Sequence, residues 1–453
     1  MTFSDVDLAR LLIALAILLL AAHGVGSLFS RFGQPAAIGE ILGGVLLGPS
    51  ALAAISPTVQ HWIFPASGPS AAALGAVYQL GLLLLMFAAG TQMRRLVQRD
   101  AARTVGLIAS FGLVLPFAAG LGLVTALGAA RFIGPAANHP ALTLVFGMAV
   151  AVTSIPVISR IMHDLGLLRT RFARIVLCVA VIEDVVLYVV LAVAVGLVPT
   201  SGSTAFGLPT ALSIHGLAQN GIYHTAVAVV FLGVALTVGG RVYRSLITTR
   251  ANPLARRSPV AFQLLWMLAL SAGALALGLV PLYGAFVAGI SVAIADDSIA
   301  DSAPGDHAPP DRNTLTGISF GFFIPVYFAI IGLRLDLIHH FDPLFFLGFL
   351  VFACLAKAAS VYAGARLSRE SRFVSASLAI AMNARGGPGI VLASTAYAAG
   401  IINETFFVSL VMLSVVTSLL AGSWLERIAT RLGGTGKLSR QPAPELTAEV
   451  RPA

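Results

Sequence analysis

The chain has 453 residues, 58% of them hydrophobic and 10% charged, with a mean hydropathy of +0.92. Soluble domains carry about 25% charged residues, so this composition excludes a water-soluble fold. The formal charge is +9, but the Lys and Arg residues stand in short clusters between apolar runs. That is a topology signal rather than a nucleic-acid-binding surface.

About 13 apolar segments of near-spanning length follow one another. They cover 5–30, 35–54, 70–93, 102–128, 139–164, 171–198, 222–247, 258–279, 280–296, 314–337, 342–367, 372–402 and 404–428. The first is too long for a signal-peptide core and reads as a retained helix. Residues 431–453 read as a disordered cytoplasmic tail behind a transmembrane domain of residues 1–430. Cys178 and Cys354 lie inside apolar runs and read as small core residues.

The loops test this count. Every second loop holds the arginines: Arg31; Arg94, Arg95, Arg99 and Arg103; Arg160, Arg169, Arg171 and Arg174; Arg241, Arg244, Arg250, Arg256 and Arg257; Arg312; Arg366, Arg369 and Arg372; and the cluster from Arg427 onward. The other loops hold Arg10, Arg131 and Arg334. The positive-inside rule puts the C-terminus in the cytoplasm and the N-terminus outside, in a cell membrane. The acidic stretch 296–312 falls on the cytoplasmic side, and acids weigh little in this rule.

Segments two (38–49, IGEILGGVLLGP) and nine (282–290, LYGAFVAGI) are both short and punctuated by glycine. If they correspond, 5–198 and 258–428 are two six-helix repeats of opposite orientation, with 222–247 as linker. Inverted repeats recur in secondary transporters, although small-residue faces also simply pack helices closely.

Ionisable side chains at mid-depth are costly and usually face a water-filled cavity. Glu183 and Asp184 sit together in an apolar helix (176–190, VLCVAVIEDVVLYVV). They point about 100° apart, so both can border one crevice. Such carboxylates can hold a proton or a hard cation such as Na⁺, for which oxygen ligands are suited. Lys357 in 352–360 (FACLAKAAS) is the natural counter-charge.

Two interruptions accompany them. In 381–390 (AMNARGGPGI), Gly386, Gly387 and Pro388 are predicted to break segment twelve, with Arg385 and Asn383 bracing the half-helix ends. In 150–157 (VAVTSIPV), Pro156 frees carbonyls a turn earlier, and Thr153 and Ser154 add hydroxyl oxygens as backbone-side ion ligands. Broken helices at corresponding places in two repeats point to a transport site. Glu40 could line an access funnel or cap a neighbour. Arg334 and Asp336 are expected to pair locally. His163, Asp164, His339 and His340 read as surface residues. No zinc, phosphate-loop or nucleophile motif occurs, so neither an enzyme nor a cofactor is expected.

The chain resembles the monovalent cation:proton antiporters, in the branch of bacterial Na⁺/H⁺ and K⁺/H⁺ exchangers and plant cation/H⁺ exchangers. The resemblance rests on 38–49, on 153–161 (TSIPVISRI) with 164–168 (DLGLL), on Glu183-Asp184 and on 322–336 (FFIPVYFAIIGLRLD). It implies an all-α polytopic fold, with a dimerisation panel beside a core where two discontinuous helices cross. It also implies elevator-like alternating access and a homodimer. Asp184 would then bind Na⁺ or K⁺ in competition with H⁺, and Glu183 would pair with Lys357.

Three departures stand out. The acids are Glu-Asp rather than Asp-Asp, Asn-Asp or Gln-Asp, which leaves the stoichiometry open. Gly-Gly-Pro-Gly follows Arg385 where many relatives carry a Glu. The tail after residue 430 is too short for the regulatory domain of glutathione-gated relatives. A sodium-coupled symporter of a small organic anion is the alternative, and an ion channel is disfavoured for want of a filter motif.

Overall fold

A computed structural model describes residues 4–32, 34–92, 102–154, 158–159, 161–162, 165–167, 170–198, 207–212, 217–249, 252–302 and 312–432. Pro156, His163, Asp164 and the tail beyond Leu432 lie outside the described residues. The helices are α1 (Asp5–Arg31), α2 (Ala36–Leu47), α3 (Pro69–Thr91), α4 (Ala102–Leu127), α5 (His139–Ala151), α6 (Arg171–Gly196) and α7 (Gln219–Thr248). They continue with α8 (Pro259–Ala276), α9 (Pro281–Ser302), α10 (Leu315–Leu333), α11 (Pro343–Leu367), α12 (Arg372–Ala381), α13 (Gly386–Ala398) and α14 (Glu404–Ile428). Among the described residues, ten helices are long and apolar enough to cross a membrane, and His139–Ala151 and Pro281–Asp296 are shorter apolar helices.

Several expected spans are modified. Segment twelve, expected to break at Gly386–Pro388, is two half-helices, α12 and α13, that part before Gly386. α9 continues six residues past the expected end at 296, to Ser302. Ala429–Leu432 forms a short 3₁₀ turn where the polar tail was expected to begin.

The helices pack in two groups. One comprises α1, α2, α3, α8, α9 and α10; the other comprises α4, α5, α6 and α11 to α14. α7 leans on α6 with its first part and on α9 with its last. Without a hydrophobic driving force between helices in lipid, close contact requires small residues. In the first group, a Cβ on Gly44 of α2 would overlap the Ala329 carbonyl oxygen of α10, and one on Gly332 of α10 would overlap that of Ile41. The same reciprocal arrangement joins α3 and α9: Gly90 meets the Phe286 carbonyl, and Gly289 that of Phe87. In both crossings each glycine faces a carbonyl three residues before its partner glycine.

Candidate ion-binding site

The second group is organised around the ends of α5 and α12. α5 stops at Ala151, because Val152 is extended (φ −62°, ψ 143°). α12 stops at Ala381, and the chain stays unwound until α13 starts at Gly386. The break therefore lies at 382–385, one turn earlier than the predicted Gly386, Gly387 and Pro388. Those residues form the first turn of α13. A helix start is the one place where proline's missing N–H costs nothing.

The two unwound segments bond to each other. The Ser154 amide donates to the Ala384 carbonyl at 2.7 Å, and the Thr153 hydroxyl to the Met382 carbonyl at 2.8 Å. Thr153 thus braces the crossing, a role its hydroxyl was not expected to have.

The last four carbonyls of a helix have no partner within it. Here all four of α5 are accounted for. Met148 accepts from the Val152 amide at 2.9 Å. Ala149 and Val150 accept from Arg385 Nε and Nη2 at 3.1 and 3.2 Å. Ala151 accepts from Lys357 Nζ at 2.5 Å. Two fixed cations thus cap the negative end of a helix dipole. Arg385 also donates to the Asn383 carbonyl and Oδ1 and to the Ala353 carbonyl, while Asn383 Nδ2 donates to Ala379 at 3.0 Å. Arg385 and Asn383 thus bond to free carbonyls at the ends of α5 and α12. At the start of α13 the Gly386 amide donates to Ser418 Oγ at 3.1 Å.

Lys357 is fully buried, and its ammonium has three acceptors: the Ala151 carbonyl, the Gly112 carbonyl at 2.8 Å and Glu183 Oε1 at 2.8 Å. A Cβ at Gly112 would lie 2.9 Å from Glu183 Oε1, so any larger residue there would push on the Glu183 carboxyl. Glu183 also borders an apolar cavity of about 270 Å³ between α4, α5 and α6, with Val186, Leu187 and Val190 on the same helix face.

Asp184 lies on a different side of α6 and does not share that cavity. The two acids, expected to border one crevice, occupy different surroundings. Asp184 is completely buried, and among the described residues neither of its carboxyl oxygens has a hydrogen-bond partner. Glu183 Oε2, Ser154 Oγ and the Tyr188 hydroxyl are likewise buried without one. A buried carboxylate with no donor is very costly in the ionised form, so a proton or a bound cation must neutralise it.

Other expectations fall elsewhere. Glu40 belongs to the first helix group, where its stem lies against Gly26 of α1. Asp336 pairs with His339 (Nδ1 to Oδ2, 2.8 Å) rather than with Arg334, whose guanidinium covers the Tyr78 ring at 4.7 Å. Sequence reasoning missed Gly112, Ala353, Ser418 and Tyr188. The first two act through backbone carbonyls, which leave no mark in a sequence. Tyr188 could have been found as a hydroxyl one helical turn from Asp184.

This is a multi-pass membrane protein whose core holds two crossed, interrupted helices and a charge cluster sealed from water. The chain belongs to the family described as sodium/hydrogen exchanger, transmembrane, which it matches over residues 14–431. It is similar to the Na(+)/H(+) antiporter NhaS4 of Synechocystis sp., with 25% identity over 94% of this chain and 98% of that protein. The Na(+)/H(+)-K(+) antiporter GerN of Bacillus cereus is 24% identical over 91% and 94% of the two chains. The Cation/H(+) antiporter 20 of Arabidopsis thaliana is 27% identical over 94% of this chain, which spans 49% of the plant protein. The solved structure of the sodium proton antiporter MjNhaP1 from Methanocaldococcus jannaschii shares the fold, with a TM-score of 0.63 at 16% identity over 94% of this chain and 99% of that one. The family comprises transporters, and the organic-anion symporter reading has no support among these relatives.

Proposed function

We propose that the protein exchanges a monovalent cation, Na⁺ or K⁺, for H⁺ by alternating access, with Asp184 as the group for which the two compete. The observation that carries this reading is the partnerless, fully buried Asp184 carboxyl beside a Glu183–Lys357 pair that is already neutralised. The charge count supports competition. Arg385, Lys357, Glu183 and an ionised Asp184 sum to zero. A proton or a monovalent cation on Asp184 leaves the same net charge of one, so each can substitute for the other. Ser154 Oγ at the crossing and the Tyr188 hydroxyl one turn along α6, both buried without a hydrogen-bond partner among the described residues, are neutral oxygens suited to complete a cation's shell.

Alternating access is supported by the division into two helix groups, read as a panel and a moving core. The repeat reading is supported by packing: α1 on α2 corresponds to α8 on α9, and α2 on α10 to α9 on α3. The reciprocal glycines at the last two crossings fit the same two-fold relation. The arginine-rich loops are read as cytoplasmic, and the assembly as a homodimer through the first group.

The test is a pH-jump exchange assay in proteoliposomes against Na⁺, K⁺ and Li⁺, with the membrane potential clamped or free. Asp184→Asn should abolish exchange while the folded protein persists. Undiminished cation-dependent proton movement by that variant would overturn the assignment.

A further inference from the structure

Asp184 lies on α6, which touches α9 of the first group. One turn beyond it, about 6 Å along α6, the Tyr188 ring packs on Phe286 of α9, with centroids 4.6 Å apart. Beside this contact, Tyr327 of α10 bonds to Ser394 of α13, hydroxyl to hydroxyl at 3.1 Å, and its ring leans on Tyr78 of α3 at 5.1 Å. The Tyr188–Phe286 and Tyr327–Ser394 contacts join the groups, since Tyr188 and Ser394 belong to the second and their partners to the first, and the Tyr78 ring backs Tyr327 from within the first group. All five side chains are at most 4% exposed.

They also lie on one side of the helix crossing. Asn138, at the start of α5, donates to the Leu197 carbonyl just past α6. Ile133 pairs with Ile402, beyond α13. The start of α5 and the ends of α6 and α13 therefore share one end of the core. Tyr188 and Ser394 are both displaced from the crossing toward that end, which is the arginine-poor face.

The polarity of the bond matters. Ser394 Oγ donates to the Val391 carbonyl within α13 at 3.2 Å. Its remaining role toward Tyr327 is that of acceptor, and Tyr327 is the donor. Removing the Tyr327 hydroxyl therefore cuts this bond between the groups and strands no polar atom. A neutral bond of this kind is also one that can break in a transport cycle, because water entering a parted seam satisfies both hydroxyls.

We propose that Tyr327 and Ser394, backed by the Tyr188–Phe286 contact, hold the site shut toward the arginine-poor face, so that parting this bond is the step that admits ions to Asp184 from that side. The inference rests on the exchange reading in requiring two-sided access.

The test reads accessibility directly. In a Cys178→Ala, Cys354→Ala background, Val391→Cys places a fully buried reporter one turn closer to the crossing than Ser394. A membrane-impermeant methanethiosulfonate reagent is applied to either face of oriented vesicles. Tyr327→Phe should raise the labelling rate from the arginine-poor face about fivefold, the population shift for loss of one ordinary neutral hydrogen bond, and leave the other face unchanged. Ser394→Ala cuts the same bond from the other group and should give the same one-sided rise. Unchanged labelling, an equal rise from both faces, or a rise with one variant alone would overturn the proposal. Labelling requires no ion flux, so failure here is distinct from failure of the exchange reading.

Discussion

Lys357 Nζ lies 2.8 Å from Glu183 Oε1, and both side chains are buried almost completely. The adjacent acid, Asp184, has no such partner. Two neighbouring carboxyls thus differ: one holds a cationic cap against α5, and the other is left without a partner among the described residues.

The pair should be strongly non-additive. Glu183→Leu leaves a buried ammonium uncompensated, and Lys357→Met leaves a buried carboxylate so. Each single change should cost about 3–5 kcal/mol, and the double change less than either. Thermal unfolding in detergent measures this, and additive losses would contradict the pairing.

Arg385 reaches carbonyls in three directions, on Ala149 and Val150, on Ala353 and on Asn383. A lysine carries its donors on one nitrogen and cannot copy that fork. Arg385→Lys should therefore lose about 2–4 kcal/mol, from charged hydrogen bonds of roughly 1.5–3 kcal/mol each. Retained melting temperature in that variant would show that the cap of α5 is dispensable.

Gly44 touches the α10 backbone, whereas Gly24 of α1 has open space around its Cα. Gly44→Ala should force α2 and α10 apart and lower the melting temperature by several degrees, by an overpacking cost of about 1–3 kcal/mol. Gly24→Ala should be neutral or slightly stabilising, since alanine favours helix. Equal effects in the two variants would rule out the close helix approach.

Asp336 lies between α10 and α11, outside the spanning helices. Burial works against its charge, but the amides of Ile338 and His339 and the His339 ring hold its carboxyl below the ordinary value of 3.8. With the folded value depressed, its stabilisation is complete above the ordinary value and is lost as pH falls through the folded one. Protection of the Ile338 and His339 amides from hydrogen exchange should fall in that acid window, and Asp336→Asn should remove the dependence. A loop that opens identically in both proteins would refute it.

Much of the site could be read in advance because its residues are expensive in lipid. Glu183, Asp184, Lys357 and Arg385 stand out in apolar runs whatever the fold. The register of the α12–α13 break could not be read, because Gly-Gly-Pro-Gly suits a helix start as well as a helix stop. Thr153 and Ser154 look alike in sequence, yet Thr153 donates to Met382 while Ser154 Oγ has no partner among the described residues.

By itself the sequence determined that the chain lies in a membrane, which of its loops carry the arginines, and which four charges needed a reason to be buried. The tertiary structure alone decided which carboxyl is paired and which is left bare. That difference comes from neighbours remote in the chain, Lys357 and the carbonyls of Gly112 and Ala151 around Glu183. Backbone carbonyls are chemically identical at every position, so only folding selects the ones that meet a given charge.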